Sequence, residues 1–419
     1  MFQAPRGTED VLPEEIPYWT YVEETARRYA RLFGYGEIRT PTFEDTGLFA
    51  RGVGAATDIV EKEMYTFKDK GGNDLTLRPE GTASVVRAYI QHGMHTRPQP
   101  VRLFSLISAY RYDRPQAGRL REFHQFNCEA IGEEDPLLDA EIITMAWRFY
   151  EGLGLRNLTI ALNSIGDSAC RPAYLQALTA FYEAHAGEVC PDCQRRLHVN
   201  PLRVLDCKNP RCQPVIDEAP KITDYLCDAC ADHFATVRSA LAALALPVQL
   251  NPRLVRGLDY YNRTVFEVWP PVVGSQAALG GGGRYDGLVE QLGGRPTPAV
   301  GFATGIERII INLKHQGVAV PAAPAPRVFI VPLGEAAREV ATRLADDLRR
   351  RGTSSLIGLG RRSLRALLRQ ANSLDCTWAI ILGDQEVATG TATVRHMLQS
   401  TEERLPLPQA LERVANLVQ

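Results

Sequence analysis

The stretch "SAYRYDRPQAGRLREFHQ", Ser108 to Gln125, decides the fold of this chain. It is entered from the apolar run "QPVRLFSLISAYRYD" and left through "REFHQFNCEAIG", both of which read as strands. Pro115 and Gly118 mark the turn between them. Two strands joined by such a turn predict an antiparallel sheet. They would also point Arg111, Arg114, Arg119 and Arg121 at one anion, since the planar guanidinium fork binds two oxygens at once. A solvated basic hairpin has the same composition.

Outward from this hairpin, "PYWTYVEETARRYARLF" (17–33) has apolar residues at helical spacing, and "GYGEIRTPTFED" breaks that helix into an extended segment. "DLTLRPEGT" reads as a further strand, and "DAEIITMAWRFYEGLG" as a helix stopped by Gly152 and Gly154. Strands framed by helices predict an α+β domain on an antiparallel sheet, spanning residues 1–320. Residues ~170–250 interrupt the strand pattern with Ala- and Leu-rich helical periodicity and read as an insertion; sheet signals resume at Leu254 and run to Ile311. "VPAAPAP" (320–326) is a stiff linker. Beyond it, "RVFIVPLG" and "WAIILGD" alternate with helical patterns, which predicts a small α/β domain over 327–419 with a mainly parallel sheet.

Over 419 residues, hydrophobic residues at 45% and charged residues at 23% are ordinary for a globular protein with two or three cores. The start lacks the basic and apolar regions of a signal peptide, and no apolar run approaches bilayer length. A cytoplasmic protein with no membrane partner is expected. A net charge of −2 argues against a wholesale nucleic-acid coat but leaves room for a local basic patch.

"LVRGLDYYNRTVFE" (Leu254–Glu267) sets Arg256 and Asp259 beside Tyr260 and Tyr261 before an apolar run, a combination that suits a polar pocket wall. "ALGGGGRYDGL" (Ala278–Leu288) lacks the Lys-Ser/Thr of a Walker loop and, taken alone, reads as a turn. "AVGFATGIERI" (Ala299–Ile309) reads as a strand, a glycine break and the first turn of a helix, with Arg308 either a phosphate ligand or half of an exposed Glu-Arg pair. In "RRSLRALLRQAN", Leu364, Leu367, Leu368 and Ala371 form an apolar stripe while Arg362, Arg365 and Arg369 lie off it. With Arg349, Arg350 and Arg351 nearby, this is either an RNA-facing patch or a solvated helix face.

In order and content, "TLRPEGT", the arginine hairpin, "LVRGLDYY", "ALGGGGRYDG" and "GFATGIERI" resemble histidyl-tRNA synthetase, a class II aminoacyl-tRNA synthetase family. "GYGEIRTPTFEDTGLFARG" is similar to the class's dimer-forming motif 1, the hairpin to motif 2 and "GFATGIERI" to motif 3; "VFIVPLG", "RQAN" and "AIILGDQEVATG" are similar to its anticodon-binding domain. The resemblance implies a histidine–tRNA ligase that uses ATP and Mg²⁺ to form histidyl-adenylate and then charges tRNA(His), working as a homodimer. Arg111 and Arg256 would stabilise the α-phosphate, and Arg308 with Glu307 would bind the rest of ATP. Glu80, Thr82 and Gln125 would hold the ends of L-histidine, Glu129 and Tyr261 its imidazole, with Tyr260 alongside. Arg119 and Arg121, then Arg362, Arg365 and Arg369, would meet tRNA. The chain departs from the family in reading Tyr110-Arg111-Tyr112-Asp113 for Phe-Arg-x-Glu and Leu120 for Tyr, changes that spare the arginines. Two rival readings remain: a non-catalytic paralogue acting as a regulatory subunit of ATP phosphoribosyltransferase, and a zinc-ribbon RNA-binding module.

Six of nine cysteines lie between Cys190 and Cys230. Two C-x-x-C pairs, Cys190/Cys193 and Cys227/Cys230, form the expected structural Zn²⁺ site, with Cys207 and Cys212 as the alternative second pair. Metal-free thiols packed in the insertion are the other reading.

Overall fold

The computed structural model describes residues 2–54, 57, 59–116, 118–271, 278–322 and 327–415. Residues 323–326 of the expected linker and Ala117 of the arginine turn lie outside these. Two compact units divide the chain, Met1–Pro321 and Ala322–Gln419.

The first unit runs α1 (Ile16–Leu32), β1 (Gly36–Glu37), β2 (Phe43–Asp45), α2 (Thr46–Val53), β3 (Tyr65–Lys68), β4 (Asp74–Leu77), α3 (Thr82–Gln91), β5 (Val101–Tyr110), β6 (Glu122–Ile131), α4 (Pro136–Gly152) and β7 (Thr159–Ser164). The insertion follows as α5 (Arg171–Ala184), α6 (Pro191–Val199), α7 (Gln213–Glu218) and α8 (Asp228–Ala243). Then come β8 (Val248–Leu250), β9 (Asn262–Trp269), β10 (Gly280–Arg284), α9 (Leu288–Gln291), β11 (Ala299–Gly305) and α10 (Ile306–His315).

Eight strands form one sheet in the order β1-β5-β6-β11-β10-β9-β7-β8. Its inner pairings are antiparallel, and only the short edge strands β1 and β8 pair in parallel. Strand alternation explains how β6 serves two faces at once. Phe126, Cys128 and Ala130 join the core built with α1, α4, α8 and α10, where each fully buried large apolar side chain contributes roughly 1.5–3 kcal/mol. Gln125, Asn127 and Glu129 therefore stand on the opposite face, toward α3 and the 254–261 loop. Within "LVRGLDYYNRTVFE" the strand begins only at Asn262; Leu254–Tyr261 is loop.

The glycine run corrects the turn reading. Gly280–Arg284 is an interior strand, paired with β9 on one side and β11 on the other. A Cβ on Gly282 would collide with the Gly301 backbone, and one on Gly281 would press on the Phe266 carbonyl at 2.5 Å. Strands crowd here too closely for side chains, which outweighs the low strand propensity of glycine.

The insertion has its own core, in which Tyr174, Leu178, Tyr182, Leu197, Val215 and Ile222 pack around four cysteines. The second unit runs β12 (Val328–Pro332), α11 (Glu335–Arg350), β13 (Ser355–Ile357), α12 (Leu364–Ser373), β14 (Trp378–Leu382), α13 (Asp384–Thr389), β15 (Thr391–His396), β16 (Thr401–Pro406) and α14 (Leu407–Ala415). Its sheet order is β13-β12-β14-β15-β16. Only the first two pairings are parallel; a C-terminal hairpin makes the rest antiparallel, so the sheet is mixed rather than mainly parallel. Leu367 and Ala371 of the predicted stripe are buried beneath α12, and Arg362, Arg365 and Arg369 are exposed.

Candidate active site

The α3 N-terminus and β6 bring together the residues expected to hold an amino acid. Glu80 precedes α3 and accepts backbone N–H bonds from Thr82 (2.7 Å) and Ala83 (2.8 Å), satisfying donors that a helix start leaves open. Thr82 Oγ1 donates to Glu129 Oε1 at 2.7 Å, and the Tyr285 hydroxyl donates to Glu129 Oε2. Gly301 leaves the space that Glu129 fills, since a Cβ there would overlap its carboxylate. Burial pushes the Glu129 pKa up to about 8 against these hydrogen bonds, and burial raises Glu80 as well. Tyr260 and Tyr261 are buried alongside, their rings 4.7 Å apart, with Tyr285 5.6 Å from Tyr260.

Several buried polar atoms here find no protein partner among the described residues: Gln125 Oε1, both amide atoms of Asn127, and Arg256 Nε. Unpaired polar atoms cost about 1–3 kcal/mol each, so their concentration marks a surface completed by a polar ligand.

Cationic groups gather on the adjoining side. Arg111 Nε donates to the Pro79 carbonyl at 2.8 Å, which fixes its guanidinium below α3. Arg308 is held by the Gly118 and Ala278 carbonyls at 3.1 and 3.2 Å. Burial lowers the Arg308 pKa, and the nearby charges of Arg119, Arg111 and Arg256 add to that effect. Glu267 at Arg256 and Asp113 at Arg119 balance part of this charge, and the remaining crowding of guanidiniums suits a further anion of the phosphate type. Arg256 pairs with Glu267, not with Asp259. Asp259 instead lies against Gly54 and within 3.4 Å of Asn200 Nδ2, so the local acid does not hold the arginine.

Other expected residues are spoken for. Glu307 accepts from the His124 backbone N–H and meets its Nδ1, each at 2.8 Å, so in the free chain it is turned to His124. Arg119 pairs with Asp113 and remains nearly half exposed. Arg121 lies over the Tyr112 ring at 3.8 Å and braces the turn against Asp113 and Arg6. A cleft of about 450 Å³ opens beside this turn, between Trp19, Pro115, Glu307 and Lys314. Another of about 240 Å³ separates the insertion from Arg256, Asp259 and Tyr261.

The two C-x-x-C pairs do not converge on one site. Cys190 and Cys193 gather with Cys207 and Cys212, whereas Cys227 and Cys230 gather with Asp167 and Cys170. The expected foursome fails because the pairs cap different helices, α6 and α8.

Sequence reading passed over Tyr285, Glu267 and Asn127. Tyr285 stood inside the quoted glycine segment, Glu267 closed the 254–267 stretch, and Asn127 sits at the period-two position between Gln125 and Glu129.

A family model described as histidyl-tRNA synthetase matches residues 7–309, and one described as an anticodon binding domain matches 327–417. A histidine–tRNA ligase of Dehalococcoides mccartyi is 56% identical over 411 residues, 98% of each chain. One from Caldicellulosiruptor saccharolyticus is 48% identical over 401 residues, 96% of each. The crystal structure of apo histidyl-tRNA synthetase from S. aureus superposes with a TM-score of 0.83 at 38% identity, covering 99% of this chain and 100% of that one. No described helix is long and apolar enough to cross a membrane.

Proposed function

The chain belongs to the histidyl-tRNA synthetase family, with the activity of an ATP-dependent histidine–tRNA ligase, and we propose that its chemistry runs between β6, the 254–267 segment and the arginine cluster. In the first step the histidine carboxylate attacks the α-phosphate and pyrophosphate leaves. In the second, a terminal ribose hydroxyl of tRNA attacks the adenylate carbonyl and AMP leaves.

Glu129 and Tyr261 read the imidazole, which offers one donor and one acceptor. Each Glu129 oxygen accepts one bond from Thr82 or Tyr285 and keeps a lone pair for the ligand. Tyr285 thereby positions Glu129, and Tyr260 closes the pocket wall. Glu80, Thr82 and Gln125 bind the amino and carboxylate ends, with Asn127 as a further donor and acceptor. Arg111 and Arg256 flank the α-phosphate, where charge accumulates in the transition state; Arg308 takes the leaving phosphates. Glu307 serves ATP through His124, the group it already engages.

Bound with the nucleotide, Mg²⁺ would supply neutralisation of the phosphate charge beside Arg111, Arg256 and Arg308. Among the described residues, the clusters of three or more closely set His, Cys, Asp or Glu ligands are the two cysteine-rich ones, whose soft donors do not suit Mg²⁺.

Arg119, half exposed beside the turn, faces the acceptor end of tRNA, and Arg121 keeps that turn in shape. Arg362, Arg365 and Arg369 contact the anticodon stem-loop. Motif 1 forms a homodimer interface. Phe43 and Phe67, exposed at 51% and 42% and stacked edge to face on the small β2-β4-β3 sheet, supply apolar area for it. Light scattering should give twice 46.4 kDa.

What supports this reading most is the unpaired polar set around Glu129 lying next to mutually repelling arginines. Pyrophosphate exchange across twenty amino acids tests it. Exchange with histidine alone is expected; exchange with none, or with several, would contradict it.

A further inference from the structure

We infer that the insertion binds two separate zinc-type ions: one at Cys190, Cys193, Cys207 and Cys212, and a second at Asp167, Cys170, Cys227 and Cys230 that clamps its neck to the catalytic domain.

Each cluster brings four ligand atoms within 4.8 Å of one another. A tetrahedral Zn²⁺ with Zn–S of about 2.3 Å needs sulfurs roughly 3.8 Å apart. Cys190–Cys207 and Cys193–Cys212 each stand at 3.9 Å, already near that edge, and Cys170 Sγ is 3.7 Å from Asp167 Oδ1. A polynuclear iron–sulfur core would hold its cysteines farther apart.

The two sites share one construction. Cys190 caps α6 with φ −70° and ψ 159°, and Cys227 caps α8 with φ −69° and ψ 162°. The second cysteine of each C-x-x-C then falls in the first helical turn, at Cys193 and Cys230. Both thiol pairs thus sit at helix N-termini, where the backbone dipole favours thiolate. Each site is finished by a second pair from a preceding or following turn. Backbone N–H groups already point at sulfur, from Cys190 to Cys212 at 3.1 Å and from Asp167 to Cys170 at 3.4 Å. Such contacts orient metal ligands and offset their charge.

Position gives the second site its role. Asp167 and Cys170 follow β7 as the chain leaves the sheet; Cys227 and Cys230 open α8 as it returns. Joining them closes the neck of the insertion. The same junction carries the pocket wall: Arg263 reaches Asp167 Oδ2 at 3.3 Å and its backbone N–H donates to Gly166 at 2.7 Å. Arg171 donates to the Tyr261 carbonyl at 2.8 Å. An ion there fixes the register of Tyr261 from behind, without touching substrate.

Metal analysis of the full chain purified without chelator, from zinc-supplemented medium, tests this. About two equivalents per chain are expected. Cys190→Ser with Cys207→Ser should remove one equivalent; Cys170→Ser with Cys227→Ser should remove the other. Asp167→Asn, a milder change, should weaken retention of one ion against a chelator at least tenfold and leave the other unchanged. Cobalt-substituted protein should show thiolate charge transfer from both sites, with distinct d–d bands for four sulfurs and for three sulfurs with an oxygen. The neck variants should raise the histidine KM several-fold while the Cys190/Cys207 variant does not. One equivalent or less in the unmodified chain, or paired loss of both ions in every variant, would overturn the two-site assignment. Equal histidine KM in both double variants would overturn the clamp.

Discussion

Arg256 is paired with Glu267, across the step from the 254–261 loop into β9, and Glu267 is itself held by Trp269 Nε1 at 3.0 Å. Burial alone would lower the arginine's pKa, but Glu267, with the Tyr261 and Tyr260 hydroxyls, outweighs it and raises the value. Arg256 is therefore a fixed cation whose Nε is still without a protein partner among the described residues. That is the arrangement a transition-state ligand needs, since the aim is set before substrate arrives.

Glu267→Gln keeps the size and one oxygen but removes the charge that aims Arg256. Activation should slow about tenfold, the equivalent of roughly 1.4 kcal/mol, with ATP binding nearly unchanged. Rapid-quench adenylate formation measures this; an unchanged rate would mean that Arg256 is aimed by something else.

Glu129 carries a pH signature. Its carboxyl is raised to about 8 in the folded chain, against about 4.3 when unfolded. Between those values the folded state holds the extra proton, so this group's contribution to stability declines as pH rises and is lost by about pH 8. Glu129→Gln should leave Tm near its original value at pH 5 and raise it relative to the parent at pH 8. Histidine activation should suffer in the opposite sense, with kcat/KM down by about thirtyfold or more for one lost hydrogen bond to a charged group. In the unmodified chain, histidine KM should fall as pH rises toward 8, because the carboxylate form accepts the imidazole N–H. Melting and exchange assays across that range decide the matter; a flat KM would speak against Glu129 as the imidazole acceptor.

Removing charge from α12 and its entry should separate tRNA binding from activation. Replacing Arg362, Arg365 and Arg369 with Ala should raise the tRNA KM and reduce its salt dependence, each lost phosphate contact lowering the slope by about 0.7–0.9. Histidine-dependent exchange without tRNA should be unaffected. Equal losses in both assays would place the patch elsewhere.

Much of this was legible in the amino-acid order because period and punctuation agree. β5, β6, α1 and α4 fall where alternation, helical spacing and Gly or Pro breaks put them, and the alternation of β6 already separates Glu129 from the core. What escaped was set by neighbours distant in sequence. The Gly280–Arg284 strand is dictated by the crowding of Phe266 and Gly301, which a local propensity does not register. Arg256 finds Glu267 rather than the nearer Asp259 because the turn at Gly257 carries Asp259 toward Gly54 and the strand brings Glu267 back. Spacing identified the C-x-x-C pairs and offered Cys207 and Cys212, which do gather with the first pair, but not Asp167 and Cys170, which precede the first pair and join the second only in space.

Single-turnover adenylate formation by Arg256→Ala tests the placement of the reaction beside Arg256. Loss of one charge-assisted donor at the developing phosphate charge should cost about 3–4 kcal/mol, a fall of two to three orders of magnitude in rate. Histidine and ATP affinities should change little, transfer from preformed adenylate should be far less affected, and Arg256→Lys should restore little, since a point charge cannot replace the fork. A folded Arg256→Ala chain that forms adenylate within a few-fold of the unmodified rate would show that Arg256 does not stabilise the transition state.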